Sequence, residues 1–534
     1  MQMDSLRSRL SYQPHELAFG TSGRRGLIRD ITALELYVNV SAEIEYLLSL
    51  PAEQGGIRPG DEFFVARDLR PSSAGICRVI CHTLRESGMR PINLGAIPTP
   101  ALTAFALERQ RAGIMVTGSH IPFDRNGYKL NTSRGELLKE HEGPVNARVA
   151  AVRERVYALD FASSPFDQDG SLRSEARPLE EDSPAAALAW IERYAGFFGS
   201  AALAGKRILV YQHSAVGRDL LVEILRRLGA DAVPMGRSES FVPIDTENID
   251  AAELAEIQRL ADANGPAFAV VSTDGDSDRP LILAPGPHSS ELRFLSGDLV
   301  GMVVASFLHA DSVVVPISCN DAIDRSALAP ALEPKTRIGS PWVIAGMNAA
   351  LARGKKLVCG WEANGGFLLG SAVERGGNLL SPLATRDSFL PILAVLCAAA
   401  ERRMPLYRIF AELPPRYGRS GLIRNFPRSE GLTIVRELNP EVSENFHDKM
   451  EISQILGKVF TVEKGFGKIA EINYTDGVRV RFDGGDVVHI RPSGNADELR
   501  IYTVSDSPAR AEELVRLGLA EPDGILRQLG TILC

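Results

Sequence analysis

Short apolar runs alternate with amphipathic stretches along most of the chain. Ala112 to Val116 is an unbroken apolar run that predicts a buried strand. Glu62 to Ala66, Arg207 to Tyr211, Phe268 to Ser272, Ser312 to Pro316 and Lys356 to Cys359 read the same way. Between them the period becomes helical. Leu34, Val38, Ile44, Leu47 and Leu48 share one side of a helix. Ile76, Val79, Ile80 and Leu84 share one side of Ser73 through Glu86, behind a Pro71-Ser72-Ser73 start signal. Leu220 to Leu228 (closed by Gly229), Asp298 to Leu308 and the stretch around Pro341 to Ala352 continue the series. Strand, helix, strand is the rhythm of a parallel sheet. It recurs in three units, residues 1–162, 185–294 and 295–404, without a clear sequence repeat. A Ser/Asp/Pro-punctuated stretch from Ser163 to Pro184 separates the first two as a linker or long loop. The last unit, 405–534, differs. Val478 to Phe482 and Val487 to Ile490 flank the hairpin turn Asp483-Gly484-Gly485. A strand at Ile501 to Val504 and a helix at Pro508 to Leu517 complete an α+β pattern.

Composition narrows the function classes. A chain of 534 residues with 45% hydrophobic and 24% charged residues is an ordinary globular protein of several domains. A net charge of -8 excludes a general nucleic-acid binder, which needs surplus Lys and Arg. The six cysteines have no paired spacing. Cys77 and Cys81, i and i+4 beside His82, read as buried thiols, because a zinc site needs further ligands nearby. No basic segment followed by an apolar core opens the chain, and the longest apolar run, Phe389 to Ala400, is too short to span a bilayer. A cytoplasmic protein is expected.

Four loops carry candidate chemistry. Thr117-Gly118-Ser119-His120-Ile121-Pro122 follows a strand and turns sharply, which presents the Ser119 hydroxyl at a strand end. Asn126-Gly127-Tyr128-Lys129, just beyond, reads as a turn followed by a lone cation. Asp274, Asp276 and Asp278 alternate after another strand; three carboxylates so close repel unless a cation joins them, and hard oxygen ligands suit Mg²⁺. Arg279 and the apolar Pro280 to Leu283 run do not fit the alternative, an EF-hand calcium loop. Glu362-Ala363-Asn364-Gly365-Gly366 offers a carboxylate and an amide suited to sugar hydroxyls. Arg491, Ser493, Gly494, Asn495 and Arg500 form a candidate phosphate clamp. Near the N-terminus, Phe19 to Gly26 combines three glycines with Arg24 and Arg25, a backbone and charge suited to an anion. Taken singly, each of these loops is also consistent with a plain turn.

Together, Phe19 to Gly26, Thr117 to Lys129, Asp274 to Arg279, Glu362 to Gly366 and Arg491 to Arg500 stand in the order of the α-D-phosphohexomutases, the phosphomannomutase/phosphoglucomutase superfamily. The chain resembles that family over nearly its whole length. The resemblance implies four domains around a central cleft, three related mixed-sheet α/β domains and a C-terminal α+β domain. It implies interconversion of hexose 1-phosphate and hexose 6-phosphate, mannose first and also glucose. The carrier is a phosphorylated Ser119, and a hexose 1,6-bisphosphate is both intermediate and activator. His120 and Arg25 would stand in the catalytic site, with Lys129 as general acid and base. Ser119, Asp274, Asp276 and Asp278 would hold Mg²⁺. Arg279, Glu362, Asn364, Arg491, Ser493, Gly494, Asn495 and Arg500 would bind the substrate. Sugar phosphates are then the partners, with neither nucleic acid nor membrane, and the protein is a monomer or homodimer. A phosphoglucosamine mutase, a phosphatase or a sugar-phosphate-binding homologue without turnover are the alternatives. Departures from the family pattern are Gly118 for Ala, Ile121 for Asn, Asn495-Ala496-Asp497 for Thr-Glu-Pro, and Gly339-Ser340-Pro341-Trp342 without a Lys or His.

Overall fold

The computed structural model describes residues 4–20, 23–174, 176–247, 249–443, 449–493 and 497–534. The apolar runs become the central strands of three mixed sheets. The first contains β1 (Ala18–Phe19), β2 (Arg24–Leu27), β3 (Glu62–Arg67), β4 (Arg90–Ala96), β5 (Gly113–Val116), β6 (Arg125–Thr132) and β7 (Gly135–Glu136), in the order β1-β2-β6-β5-β3-β4 with β7 beside β6. The second contains β8 (Arg207–His213), β9 (Asp231–Arg237), β10 (Ala269–Thr273), β11 (Pro280–Pro285) and β12 (Leu292–Phe294), ordered β12-β11-β10-β8-β9. In the third, β13 (Ser312–Val314), β14 (Val358–Trp361), β15 (Phe367–Leu369) and β18 (Leu383–Asp387) lie in that order, and β16 (Val373–Arg375) pairs β17 (Asn378–Leu380) as a separate hairpin. The last sheet is fully antiparallel: β19 (Tyr417–Arg424), β23 (Glu498–Ser505), β22 (Val487–Pro492), β21 (Val478–Phe482) and β20 (Ile469–Asn473).

One device recurs. In each mixed sheet a buried parallel strand is followed by an antiparallel neighbour: β5 by β6, β10 by β11, β14 by β15. The connection between the two carries the candidate residues, as does the β22–β23 connection of the last sheet. Each loop is thus anchored at both ends by a strand ladder, which holds its side chains to narrow positions.

The turn expected at Asn126-Gly127 is instead part of β6, a buried strand. The Asn126 amide donates to the hydroxyls of Ser72 and Ser73 at 2.8 and 3.0 Å, and Gly127 lies beside Arg25 on β2. Strand pairing on both sides outweighs the local turn preference. The stretch 163–184 is a long loop strapped to the first sheet rather than a free linker. Phe166 is fully buried, and Asn93 donates to Glu180 O at 2.6 Å and to Asp182 Oδ1 at 2.8 Å. The apolar run near 390 forms the helix Phe389–Glu401, buried on nearly every side in a core shared by the first three units. No described helix is long and apolar enough to cross a membrane. Cys77 and Cys81 are buried free thiols, as expected.

Candidate active site

The Ser119 loop is held in a conformation a serine rarely adopts, with φ at +52°. Two groups enforce it. The Ser119 N–H donates to Thr117 Oγ1 at 2.7 Å, and the Thr117 hydroxyl donates to buried Asp68 at 2.8 Å. The Arg70 guanidinium donates to the carbonyls of Ser119, Ile121, Pro122 and Arg125. It is stacked 4.0 Å over the ring of Phe241, which comes from the second unit. The result aims the Ser119 hydroxyl across the unit boundary, where it donates to Asp274 Oδ2 at 2.7 Å. Gly275 permits this approach: a Cβ there would lie 2.9 Å from Ser119 O.

The three aspartates lie together, each offering an oxygen within 4.8 Å of the others. Asp274 Oδ1 accepts the backbone N–H groups of Asp278 and Arg279 at 3.0 and 3.1 Å. Asp276 Oδ2 accepts from the Thr99 hydroxyl at 2.6 Å and from Lys129 Nζ at 2.7 Å. Asp278 Oδ2 accepts from Lys129 at 2.6 Å and from Arg386. Burial, with Asp276 and Asp278 beside it, drives the Asp274 carboxyl well above its ordinary range. Burial opposes ionisation of Asp276 and Asp278 too, but there Lys129, joined at Asp278 by Arg386 and Arg279, wins, and both carboxyls sit below that range. Asp276 Oδ1 and Asp278 Oδ1 are buried without a hydrogen-bond partner. Two orphaned carboxylate oxygens beside a third carboxylate are a donor set that fits a hard divalent cation. Lys129, expected as a lone cation, is therefore the charge partner of the aspartate loop. Strand alternation on β6 sends Tyr128 into the first unit's core and Lys129 the other way.

The same alternation separates the arginine pair on β2. Arg24 turns inward, donating to Glu43 at 2.7 Å and to Leu17 O, so it supplies no charge to an anion. Arg25 faces the aspartates, and burial together with Arg279 lowers its guanidinium to about 10. Arg279 and burial likewise keep the His120 imidazole well below its ordinary value, hence neutral at pH 7.

Glu362 and Asn364 are buried on the third loop. Glu362 Oε2 accepts from Arg386 at 2.9 Å, and Asn364 Oδ1 accepts the Gly366 N–H at 3.0 Å. The neighbouring loop at Gly339-Ser340 is pinned from two sides, by Glu136 of the first unit on the Ser340 hydroxyl and by Asp476 of the last unit on the Ile338 N–H. Asp476 also holds Arg491 Nε at 2.9 Å. Arg500 pairs with Glu498 at 3.1 Å and leaves its Nε buried without a partner; Ser493 is buried next to them. Gly494 and Asn495 lie outside the described residues, as do Thr21 and Ser22. Glu247, on a loop of the second unit, lies within electrostatic reach of both Arg279 and Arg500. Glu247 is thus an electrostatic neighbour shared by the aspartate loop and the Arg500 strand of the last unit.

Sequence inspection missed Arg70, Thr99 and Arg386. The charged run Arg67-Asp68-Leu69-Arg70 at a strand end signals the first. Nothing local marks the other two, whose partners stand 177 and 108 residues away.

The phosphoglucomutase/phosphomannomutase family matches the chain in four consecutive parts: its alpha/beta/alpha domain I over residues 16–155, domain II over 190–286, domain III over 296–417 and its C-terminal domain over 437–516. A phosphomannomutase from Sinorhizobium fredii (strain NBRC 101917 / NGR234) is 39% identical over 504 residues, covering 94% of this chain and 98% of its own. A phosphomannomutase from Salmonella muenchen is 34% identical over 504 residues, covering 94% and 95%. The crystal structure of a phosphoglucomutase/phosphomannomutase family protein from Burkholderia thailandensis shares the fold with a TM-score of 0.64 at 18% identity, over 96% of this chain and 97% of that one. Four domain matches in order, together with relatives 39% and 34% identical over nearly the whole chain, make this chain a member of the phosphoglucomutase/phosphomannomutase family.

Proposed function

We propose that this protein is a phosphohexomutase that interconverts hexose 1-phosphate and hexose 6-phosphate, with mannose the first substrate and glucose a second. The 2.7 Å hydrogen bond from Ser119 to Asp274, inside a buried carboxylate cluster countered by Lys129, carries this proposal. It places a hydroxyl able to carry a phosphoryl group beside a ready site for a cation. Asp274, Asp276 and Asp278 are the residues to hold Mg²⁺, which supplies charge neutralisation to a phosphate on Ser119. In the forward direction the bond between phosphorus and Ser119 Oγ breaks as a bond to the free sugar hydroxyl forms. Entering the step as the neutral amine, Lys129 takes the hydroxyl proton, and the ammonium so formed, held by Asp276 and Asp278, returns it on the reverse transfer. Arg25 and Arg279 steady the transferring group. Glu362 and Asn364 receive sugar hydroxyls, and Arg491, Ser493, Gly494, Asn495 and Arg500 grip the phosphate that does not react. The bisphosphate formed turns end for end and returns its other phosphate to Ser119. Free hexose 1,6-bisphosphate primes unphosphorylated protein by the same step.

The test is Ser119→Ala. The variant keeps its fold, carries no phosphate at residue 119 by mass spectrometry, and loses turnover of mannose 1-phosphate to mannose 6-phosphate. Full conversion by that variant would falsify the assigned carrier. Wild-type assays of mannose, glucose and glucosamine phosphates side by side rank the sugars, and release of inorganic phosphate in place of isomerised sugar marks a phosphatase.

A further inference from the structure

Arg386 belongs to none of the four loops; it stands on β18 of the third unit. It is almost fully buried. Its Nε and Nη2 donate to Asp278 Oδ2 at 3.1 and 2.9 Å, and its Nη1 donates to Glu362 Oε2 at 2.9 Å. One guanidinium thus ties the aspartate loop of the second unit to the Glu362 loop of the third. The side chain reaches there because residue 366 is glycine: a Cβ at that position would lie 2.7 Å from Arg386 Cδ. Lys129 donates to the same Asp278 Oδ2 at 2.6 Å. Three N–H donors therefore saturate that oxygen, while Asp278 Oδ1 makes no hydrogen bond and has the Arg279 guanidinium 3.7 Å away.

We infer that Arg386 is a positioning residue for phosphoryl transfer, one that fixes the orientation of Glu362 toward the sugar and offsets part of the Asp278 charge presented to the metal. The inference rests on the mutase proposal above. Arg386 works through two carboxylates at once, which requires the planar fork of arginine; a lysine reaches one of them but not both. Its removal has two consequences of opposite sign. Glu362 loses the partner that orients it, so sugar binding weakens. Asp278 loses a neighbouring cation, so a divalent ion binds the aspartates more tightly. A mere packing defect would weaken both.

Purified dephosphorylated protein, wild type and variant, is titrated with Mn²⁺ alone and followed by electron paramagnetic resonance. KM and kcat for mannose 1-phosphate and the melting temperature are measured on the same preparations. In Arg386→Gln the Mn²⁺ Kd falls by roughly threefold to tenfold, the change expected when one of several nearby cations leaves a partly hydrated site. Its KM rises by about tenfold or more, as for loss of an oriented hydrogen-bond acceptor. Arg386→Lys returns the Mn²⁺ Kd to near the wild-type value but leaves KM raised. Glu362→Gln, which keeps the arginine, raises KM without tightening Mn²⁺ binding and serves if Arg386→Gln does not fold. Weaker Mn²⁺ binding in Arg386→Gln, or a KM within twofold of wild type in both Arg386→Lys and Glu362→Gln, overturns the inference. Wild-type protein that binds Mn²⁺ but turns over no hexose phosphate overturns the mutase proposal instead.

Discussion

Replacing Arg70 should disable the serine loop without touching any reacting atom. The guanidinium spans four backbone carbonyls, those of Ser119, Ile121, Pro122 and Arg125. A lysine in its place has three donors on a single nitrogen and cannot span them. In Arg70→Lys the charge beside Asp68 is retained, so that buried carboxylate stays compensated. The carbonyls of Pro122 and Arg125 belong to exposed residues and can turn to water. Those of Ser119 and Ile121 lie deeper. A hydrogen bond to a charged donor is worth about 1.5–3 kcal/mol, so losing one of these and weakening the other releases roughly 2–4 kcal/mol of restraint on the loop. Ser119 holds a left-handed backbone against a cost of about 1–2 kcal/mol, so that release suffices to let it relax toward ordinary angles. If the lost restraint appears wholly in the transition state, kcat falls by roughly 30-fold to 1,000-fold. Steady-state turnover of mannose 1-phosphate with hexose 1,6-bisphosphate measures it, alongside the fraction of Ser119 phosphorylated. KM should move little, because Arg70 touches no proposed substrate group. A kcat within twofold of wild type in a folded Arg70→Lys protein refutes the reasoning. Gly118 bears on the same contact: a Cβ at 118 would lie 2.7 Å from Arg70 Cζ, which accounts for glycine where alanine is usual.

Three further outcomes follow from the geometry. Lys129→Met leaves buried Asp276 and Asp278 without their shared cation, which costs about 3–5 kcal/mol in the absence of metal; Mg²⁺ should then raise the melting temperature more in the variant than in wild type, and an equal rise counts against a shared site. Arg491→Ala should raise KM for hexose phosphates by roughly tenfold to 150-fold with kcat nearly kept, because it removes a charge-assisted hydrogen bond worth about 1.5–3 kcal/mol from a phosphate that does not react; an unchanged KM removes Arg491 from the clamp. Glu247 is pushed up to about 7 by burial and by Asp245. A carboxyl raised on folding stabilises the protein at low pH, and that contribution is lost as pH climbs from the ordinary glutamate value of 4.5 through 7. Glu247→Gln should match wild type in urea denaturation below that window and gain on it above; parallel curves across the whole range rule the shift out.

What was legible in the chain and what was not divides along sequence distance. Hydrophobic period, bounded by the Pro71-Ser72-Ser73 start and the Asp483-Gly484-Gly485 turn, places the helix Ser73–Glu86 and the strand Val478–Phe482 to the residue, because a side chain's burial is set by its neighbours at i+2 or i+3 and i+4. The Ser119, aspartate, Glu362 and Arg491 loops are legible for a related reason: each packs its polar groups into a few consecutive residues between apolar runs. Asn126-Gly127 misleads, since the same dipeptide that favours a turn also suits a strand squeezed between two others, and only the sheet decides. Arg24 and Arg25 are equivalent until β2 is paired and twofold alternation sends one to Glu43 and the other to the aspartates. Ser119 and Asp274 are 155 residues apart in the chain and 2.7 Å apart in space. Amino-acid order thus determines local elements and the stock of reactive groups. Which groups share a charge, and which oxygen is left without a hydrogen bond, depends on distances that only the packing of separate domains creates.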